Sequence, residues 1–186
     1  MKIAVTGHTK GIGQAIYDLL GQEHDVIGYS RSNGYNINKP EIIFKEAKDF
    51  DIFINNAQSK DAQLQLFNLF WQDWRYKEKT IVNIGSSSYY PETKSKFGSY
   101  VINKQELHNR VKQACLTSMN NGNQKCRVTN IIAGWTDTDM VKMLRIFKKM
   151  DPQIVAKNVK YCIDQPQDIQ IFELAIWHHP MKANLR

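Results

Sequence analysis

A short apolar run, Ile3-Ala4-Val5, ends at Thr6-Gly7 and gives way to apolar residues at helical spacing: Ile12, Ala15, Ile16, Leu19 and Leu20. The run suits a strand buried on both faces. The recurrence after it suits an amphipathic helix over 11–21, with Gly21 as its stop. The alternation continues along the chain. A strand is predicted at 25–30, then a turn at Asn33-Gly34, a two-residue strand at Asn36-Ile37 and a helix over 40–49, with Pro40 in its first position. A strand at 51–55 leads to a long aromatic-rich helix at 61–77, a strand at 80–85 and a Ser/Pro/Gly-rich loop at 86–98. A helix at 99–120, a strand at 127–133, helices at 138–150 and 151–163 and a last strand near 169–176 complete the order. Strands alternating with helices predict an α/β fold: a doubly wound parallel sheet in three layers.

In such a sheet ligands bind beyond the carboxyl ends of the strands. Gly7 to Gly13, Ser30-Arg31, Asn55 to Gln58, Ser86 to Ser88 and Gly134 to Thr138 all fall there, so they are expected to line one crevice. The first of these segments, Thr6-Gly7-His8-Thr9-Lys10-Gly11-Ile12-Gly13, sets three glycines between a buried strand and a helix. Its backbone N–H groups and the positive end of the helix dipole suit a pyrophosphate. The spacing, Thr-Gly-x-x-x-Gly-x-Gly, differs from the G-x-G-x-x-G of the common Rossmann fingerprint.

Composition narrows the classes. A length of 186 residues without linker, repeat or low-complexity tract suits a single domain over 1–186. No apolar run approaches the ~20 residues of a membrane span, and the first strand begins almost at Met1, so a cytoplasmic protein without membrane partners is expected. Cys115, Cys126 and Cys162 are odd in number and lack metal-ligand spacing; reduced structural thiols and no metal are expected. The net charge of +7, with Lys142, Arg145, Lys148 and Lys149 close together, invites nucleic acid as a partner. Met140, Val141, Met143, Leu144, Ile146 and Phe147 interleave with those charges, however, which favours the solvated basic face of an amphipathic helix. No nucleic-acid partner is expected, and the basic balance suits a phosphate-rich ligand.

Candidate chemistry follows the serines. Tyr100 comes 13 residues after Ser87, and Lys104 four residues after Tyr100. On a helix that i, i+4 pair shares a face, which sets an ammonium near a phenol whose ordinary pKa of ~10 makes it a poor base at neutral pH. A serine hydroxyl beside them can hold a carbonyl, so the group suits carbonyl reduction. Tyr-x-x-x-Lys occurs twice more, but Lys39 precedes Pro40 and Tyr90/Lys94 spans Pro91 in a loop. Taken alone, the motif fits a packed tyrosine and a solvated lysine better than a reactive pair.

The combination is more specific than its parts. The glycine turn, Asn55-Asn56-Ala57, the serines, Tyr100-x-x-x-Lys104 and Ala133-Gly134-Trp135-Thr136-Asp137-Thr138-Asp139-Met140, in that order, resemble the short-chain dehydrogenase/reductase family over nearly the whole chain. The resemblance implies a Rossmann fold and an oxidoreductase acting on a carbonyl or alcohol of a small molecule. It makes Tyr100 the general acid, with Lys104 lowering its pKa and binding the nicotinamide ribose. A serine orients the carbonyl: Ser86 counting from the strand, which is preferred, or Ser87 counting back from Tyr100. Asn68 is the asparagine available for the family's proton relay, although it lies two to three turns closer to the serine strand than the family's does. Asn55, Asn56 and Ala57 match the family's Asn-Asn-Ala-Gly, with Gln58 in place of the glycine. Ala133 replaces a proline, Thr136 and Thr138 contact the carboxamide end of the cofactor together with Gly134, and Asn36 matches an adenine-contacting aspartate.

Ser30-Arg31-Ser32 stands where an NAD site has an acidic residue, and Arg31, Ser30 and Lys10 suit a 2'-phosphate, so NADP(H) is the expected cofactor. Family members commonly reach about 250 residues. The helix after Arg31 is missing, and the segment after Met140, part of the family's substrate pocket, is short. A homodimer or homotetramer is expected to cover the trimmed faces. The aromatic helix Leu64, Phe67, Phe70, Trp71 and Trp74 suits either pairing or core packing. Two other readings stay open: a non-catalytic NADP-binding redox sensor, and an extended-type epimerase or reductase, for which the 46 residues after Met140 are few.

Overall fold

The computed structural model describes residues 1–90, 98–120, 122–143 and 148–178. Six strands form one parallel sheet: β1 (Lys2–Thr6), β2 (Asp25–Tyr29), β3 (Ile52–Asn55), β4 (Thr80–Ile84), β5 (Arg127–Ala133) and β6 (Glu173–Ile176), in spatial order β2-β1-β3-β4-β5-β6. Ile3 pairs with Val26 and Ile52, Ile54 with Val82, and Ile84 with Ile131, so the carboxyl ends of the strands come into line. β3, β4 and β5 are buried throughout, as strands of a parallel sheet covered on both faces are.

Helices cover both faces. On one side α1 (Gly11–Leu20) and α5 (Pro152–Ile163) bury Ile16, Leu20, Val155 and Val159 against Ile3, Val5 and Ile131. On the other, α2 (Pro40–Ala47), α3 (Ala62–Trp74) and α4 (Gly98–Asn120) pack Ile43, Phe70, Trp74 and Val111 over Ala4, Phe53 and Val128. Pro40 occupies the first turn of α2, and Asp151 caps α5 by accepting from the Gln153 N–H. Phe67, Phe70, Trp71 and Trp74 are all core residues, with Phe53 and Phe70 stacked 3.8 Å apart, so these rings are not a surface for a second subunit.

Two predicted elements are not formed among the described residues. Asn36-Ile37 is a turn, because the Asn36 side chain accepts from the Asn38 N–H and its carbonyl from the Lys39 N–H; the sheet ends at β2. Of the helix predicted over 138–150, the described residues show only a short 3₁₀ turn, Asp139–Val141. Residues 144–147, including Arg145 of the basic cluster, lie outside the described residues. The reason is geometric. The Asp137 N–H donates to Met150 O at 2.8 Å and the Met150 N–H to Trp135 O at 2.8 Å. A continuous helix would hold those ends roughly 18 Å apart.

All three cysteines are buried free thiols, and burial pushes Cys115 to about 12 and Cys162 to about 11. Among the described residues there is no cluster suited to a metal ion, and no helix is long and apolar enough to cross a membrane.

Candidate active site

The glycine turn is shaped by its neighbours. Gly7 has φ +70°, a left-handed conformation that side chains resist. A Cβ at Gly13 would overlap the Gly7 carbonyl and stand 2.5 Å from the Asn56 amide nitrogen, so only glycine fits there. The Asn56 amide donates to Thr6 O at 2.9 Å, and the Thr6 hydroxyl accepts from the N–H groups of Asn56 and Ala57, both at 3.0 Å. Thr6 and Asn56 thus tie the turn to the end of β3. His8 turns away: its ring lies on the backbone of Gly28 and 5.0 Å from Tyr17. Burial lowers its pKa. α1 starts at Gly11 without a side-chain cap or an acidic residue in its first turn, which keeps its N-terminus available to an anion.

From this turn a cleft runs in two directions along the strand ends. Toward β2 a cavity of about 490 Å³ is lined by Gly7, Thr9, Lys10, Ser30, Arg31, Asn36, Ala57 and Gln58, with Tyr29 and Tyr35 as its aromatic wall. Arg31 is exposed there. Asn33, not anticipated from sequence, shapes this rim: it accepts from the Ser30 N–H at 2.9 Å and donates to Gly28 O at 2.8 Å. The Lys10 ammonium pairs with Asp139 at 2.8 Å, holding that carboxyl below its ordinary range. Gln58 donates to Lys60 O at 2.7 Å.

Toward β5, a cavity of about 260 Å³ touches Gly11, Ile12, Gly13, Asn56, Thr138, Tyr100 and Lys104. It adjoins one of about 240 Å³ lined by Ser86, Ser87, Tyr100, Gly134, Trp135, Thr136 and Thr138. The serines, the tyrosine and the glycine turn therefore meet. Tyr100, half-buried, hydrogen-bonds with Ser86, whose hydroxyl also contacts Ser88 at 3.1 Å. Ser87 shares the cavity wall. Thr136 is buried and donates to Gly134 O at 3.0 Å, so its hydroxyl braces the loop.

Burial raises the Tyr100 phenol, and the bond to Ser86 pulls it down. The Lys104 amine, 5.7 Å from the ring centre of Tyr100, reaches Gln63 Oε1 at 2.7 Å and Ile84 O at 2.8 Å. Burial alone takes Lys104 down to about 7. The resemblance pointed to Asn68, yet Asn68 accepts from Arg110 Nε at 2.9 Å, outside the cleft lining. Asn55 lies under the site, donating to Gln63 O and to Asn83 Oδ1. Gln63 was not anticipated, but its signal was in the sequence. Residues 63, 66, 67, 70 and 74 form one helical stripe, and Gln63 is its polar member. Of the other Tyr-x-x-x-Lys pairs, Tyr35 donates to Glu46 at 2.6 Å, and Lys94 lies outside the described residues.

No protein-family model and no curated protein matches the sequence. Solved structures do match. A serine dehydrogenase from Escherichia coli superposes with a TM-score of 0.76 at 18% identity, covering 96% of this chain and 98% of that one. A short-chain dehydrogenase from Burkholderia cenocepacia in complex with NADP gives 0.77 at 17%, covering 94% and 86%. The 3-alpha-hydroxysteroid dehydrogenase from Pseudomonas sp. B-0831, complexed with NADH, gives 0.73 at 15%, covering 95% of each chain. The chain therefore has the fold of these dehydrogenases, the fold that its sequence motifs imply.

Proposed function

We propose that the chain is a compact short-chain reductase that uses NADP(H) to reduce the carbonyl of a small molecule, or to oxidise the corresponding alcohol. The observation that carries this reading is the Ser86–Tyr100 hydrogen bond at a cavity contiguous with the glycine turn. The dinucleotide, when bound, supplies or accepts the hydride. The glycine turn and the uncapped start of α1 suit its pyrophosphate, and the segment from Gly134 to Thr138 its carboxamide end. In the reduction Ser86 holds the carbonyl oxygen and Tyr100 donates the proton to it. Ser87, on the same wall, is the second candidate for that hydroxyl. Lys104 contributes positive charge at the bottom of the site.

Preference for the phosphorylated cofactor rests on Arg31 and Lys10, both on the wall of the cavity toward β2, with no carboxylate among its described lining residues. Lys10 must leave Asp139 to serve, and an ion pair this exposed exchanges readily. Replacing Arg31 and Lys10 by Met is expected to weaken NADPH binding roughly tenfold per residue and NADH binding far less. Titration of both nucleotides by fluorescence checks this; equal losses would refute the NADP assignment.

Activity is tested by following NADPH oxidation with a panel of aldehydes and ketones. Turnover that depends on Tyr100 supports the reductase. Tight NADPH binding with no turnover would instead favour the redox sensor.

A further inference from the structure

We propose that Gln63 is a positioning residue of this site: its side-chain amide holds the Lys104 amine in place beneath Tyr100 and favours its ammonium form. Gln63 is the second residue of α3 and only 1% exposed. Its Nε2 donates to Asn55 O at 2.7 Å and to Ile84 O at 3.1 Å. Both of those partners are carbonyls, so the amide has one permitted orientation, with Oε1 toward Lys104 Nζ at 2.7 Å. The flipped amide would set its oxygen against two carbonyls and its NH₂ against an ammonium. The backbone is fixed too, because Gln63 O accepts from Asn55 Nδ2 at 2.8 Å.

The Lys104 ammonium has three N–H groups. Gln63 takes one and Ile84 O a second, which leaves the third toward the cavity that Lys104 lines together with Tyr100. Among the described residues no carboxylate offsets the burial of this amine. Asp61 accepts from Gln65, Asp73 pairs with Lys77, Glu106 is exposed, His108 faces Glu173 and Arg110 engages Asn68. Across the cleft Asp139 pairs with Lys10. Among the described residues Tyr100 is the remaining titratable neighbour. A neutral acceptor at Gln63 therefore supports the cation without locking it, and the amine titrates near neutrality, at about 7.

Its relevance to catalysis rests on the reductase reading; its effect on Lys104 does not. The test uses lysine-labelled protein, with the Lys104 side-chain resonance assigned by its absence in Lys104→Arg and titrated by NMR. Gln63→Leu removes an acceptor from the ammonium, so the midpoint falls by about one pH unit or more. Gln63→Glu sets a carboxylate against it, so the midpoint rises by at least as much. Gln63→Met, an unbranched chain of similar length, carries the same expectation as Gln63→Leu should the branched residue unfold the protein. In active enzyme the falling limb of kcat/KM for reduction moves the same way in each variant, because Lys104 is needed as the ammonium. Folded variants whose Lys104 midpoint stays at the wild-type value overturn the proposal, since a merely structural glutamine would change stability alone. Opposite shifts of the midpoint in a protein that reduces nothing would uphold Gln63 and reject the reductase.

Discussion

Tyr100→Phe lowers carbonyl reduction by ~10²–10⁴-fold, the usual worth of a positioned general acid, and leaves NADPH affinity within about an order of magnitude. The substitution removes one oxygen and keeps the ring that packs in α4. Ser86 retains its contact with Ser88, so the wall of the cavity keeps its shape. What is lost is the proton donor. Reduction requires the phenol protonated, and burial holds Tyr100 above its ordinary value, so the acid form is present across the neutral range. The pH dependence then comes from Lys104. Its ammonium form disappears as pH rises through about 7, and kcat/KM for reduction falls with it. Oxidation of the alcohol needs the phenolate instead and increases toward alkaline pH. Initial rates from the nicotinamide absorbance, measured in both directions for wild type and Tyr100→Phe, check these expectations. A mutant as fast as wild type would remove Tyr100 from the chemistry.

The parts of the fold that depend on local pattern were legible in the sequence. Ile52 to Asn55 and Thr80 to Ile84 read as buried strands because no residue type in them alternates toward water, and the sheet covers both of their faces. Tyr100 and Lys104 could be placed together because helical spacing alone puts i and i+4 on one face. What escaped depends on contacts distant in sequence. Met140 to Met150 carries apolar and basic residues at spacings that mimic an amphipathic helix, but the Met150 N–H donating to Trp135 O and the Asp137 N–H donating to Met150 O draw the segment's ends together. Asn68 matched a residue type in the family's pattern, yet it lies off the stripe that faces the sheet. Gln63 lies on that stripe, and a glutamine in the first turn of a helix reads as solvated until Asn55, Ile84 and Lys104 are seen to surround it. Lys10 was read as a cation for phosphate; its exposed partner Asp139, 129 residues away, lay beyond any local pattern.

Gly13→Ala is expected to destabilise the fold by about 1–3 kcal/mol, the usual cost of overpacking, and to weaken dinucleotide binding in the same step. The added methyl would overlap the Gly7 carbonyl and crowd the Asn56 amide. Neither neighbour can retreat freely. Asn56 is held by Thr6 O at 2.9 Å, and the Gly7 N–H donates to Tyr29 O at 2.8 Å, which ties the turn to β2. Relief must come from moving α1 away from the turn, and that separates the N–H groups that would meet a pyrophosphate. The loss of stability corresponds to a fall in Tm of roughly 2–12 °C for a chain of this length. Gly122→Ala serves as the comparison: a Cβ there meets nothing within 4 Å, and Tm should hold. Thermal melts of both variants with and without NADPH separate the two effects. Wild type and Gly122→Ala gain stability from the nucleotide, whereas Gly13→Ala starts lower and gains little. A Gly13→Ala protein with an undiminished NADPH-induced rise in Tm would mean that the turn does not hold the cofactor, and the anion site would have to be sought elsewhere along the strand ends.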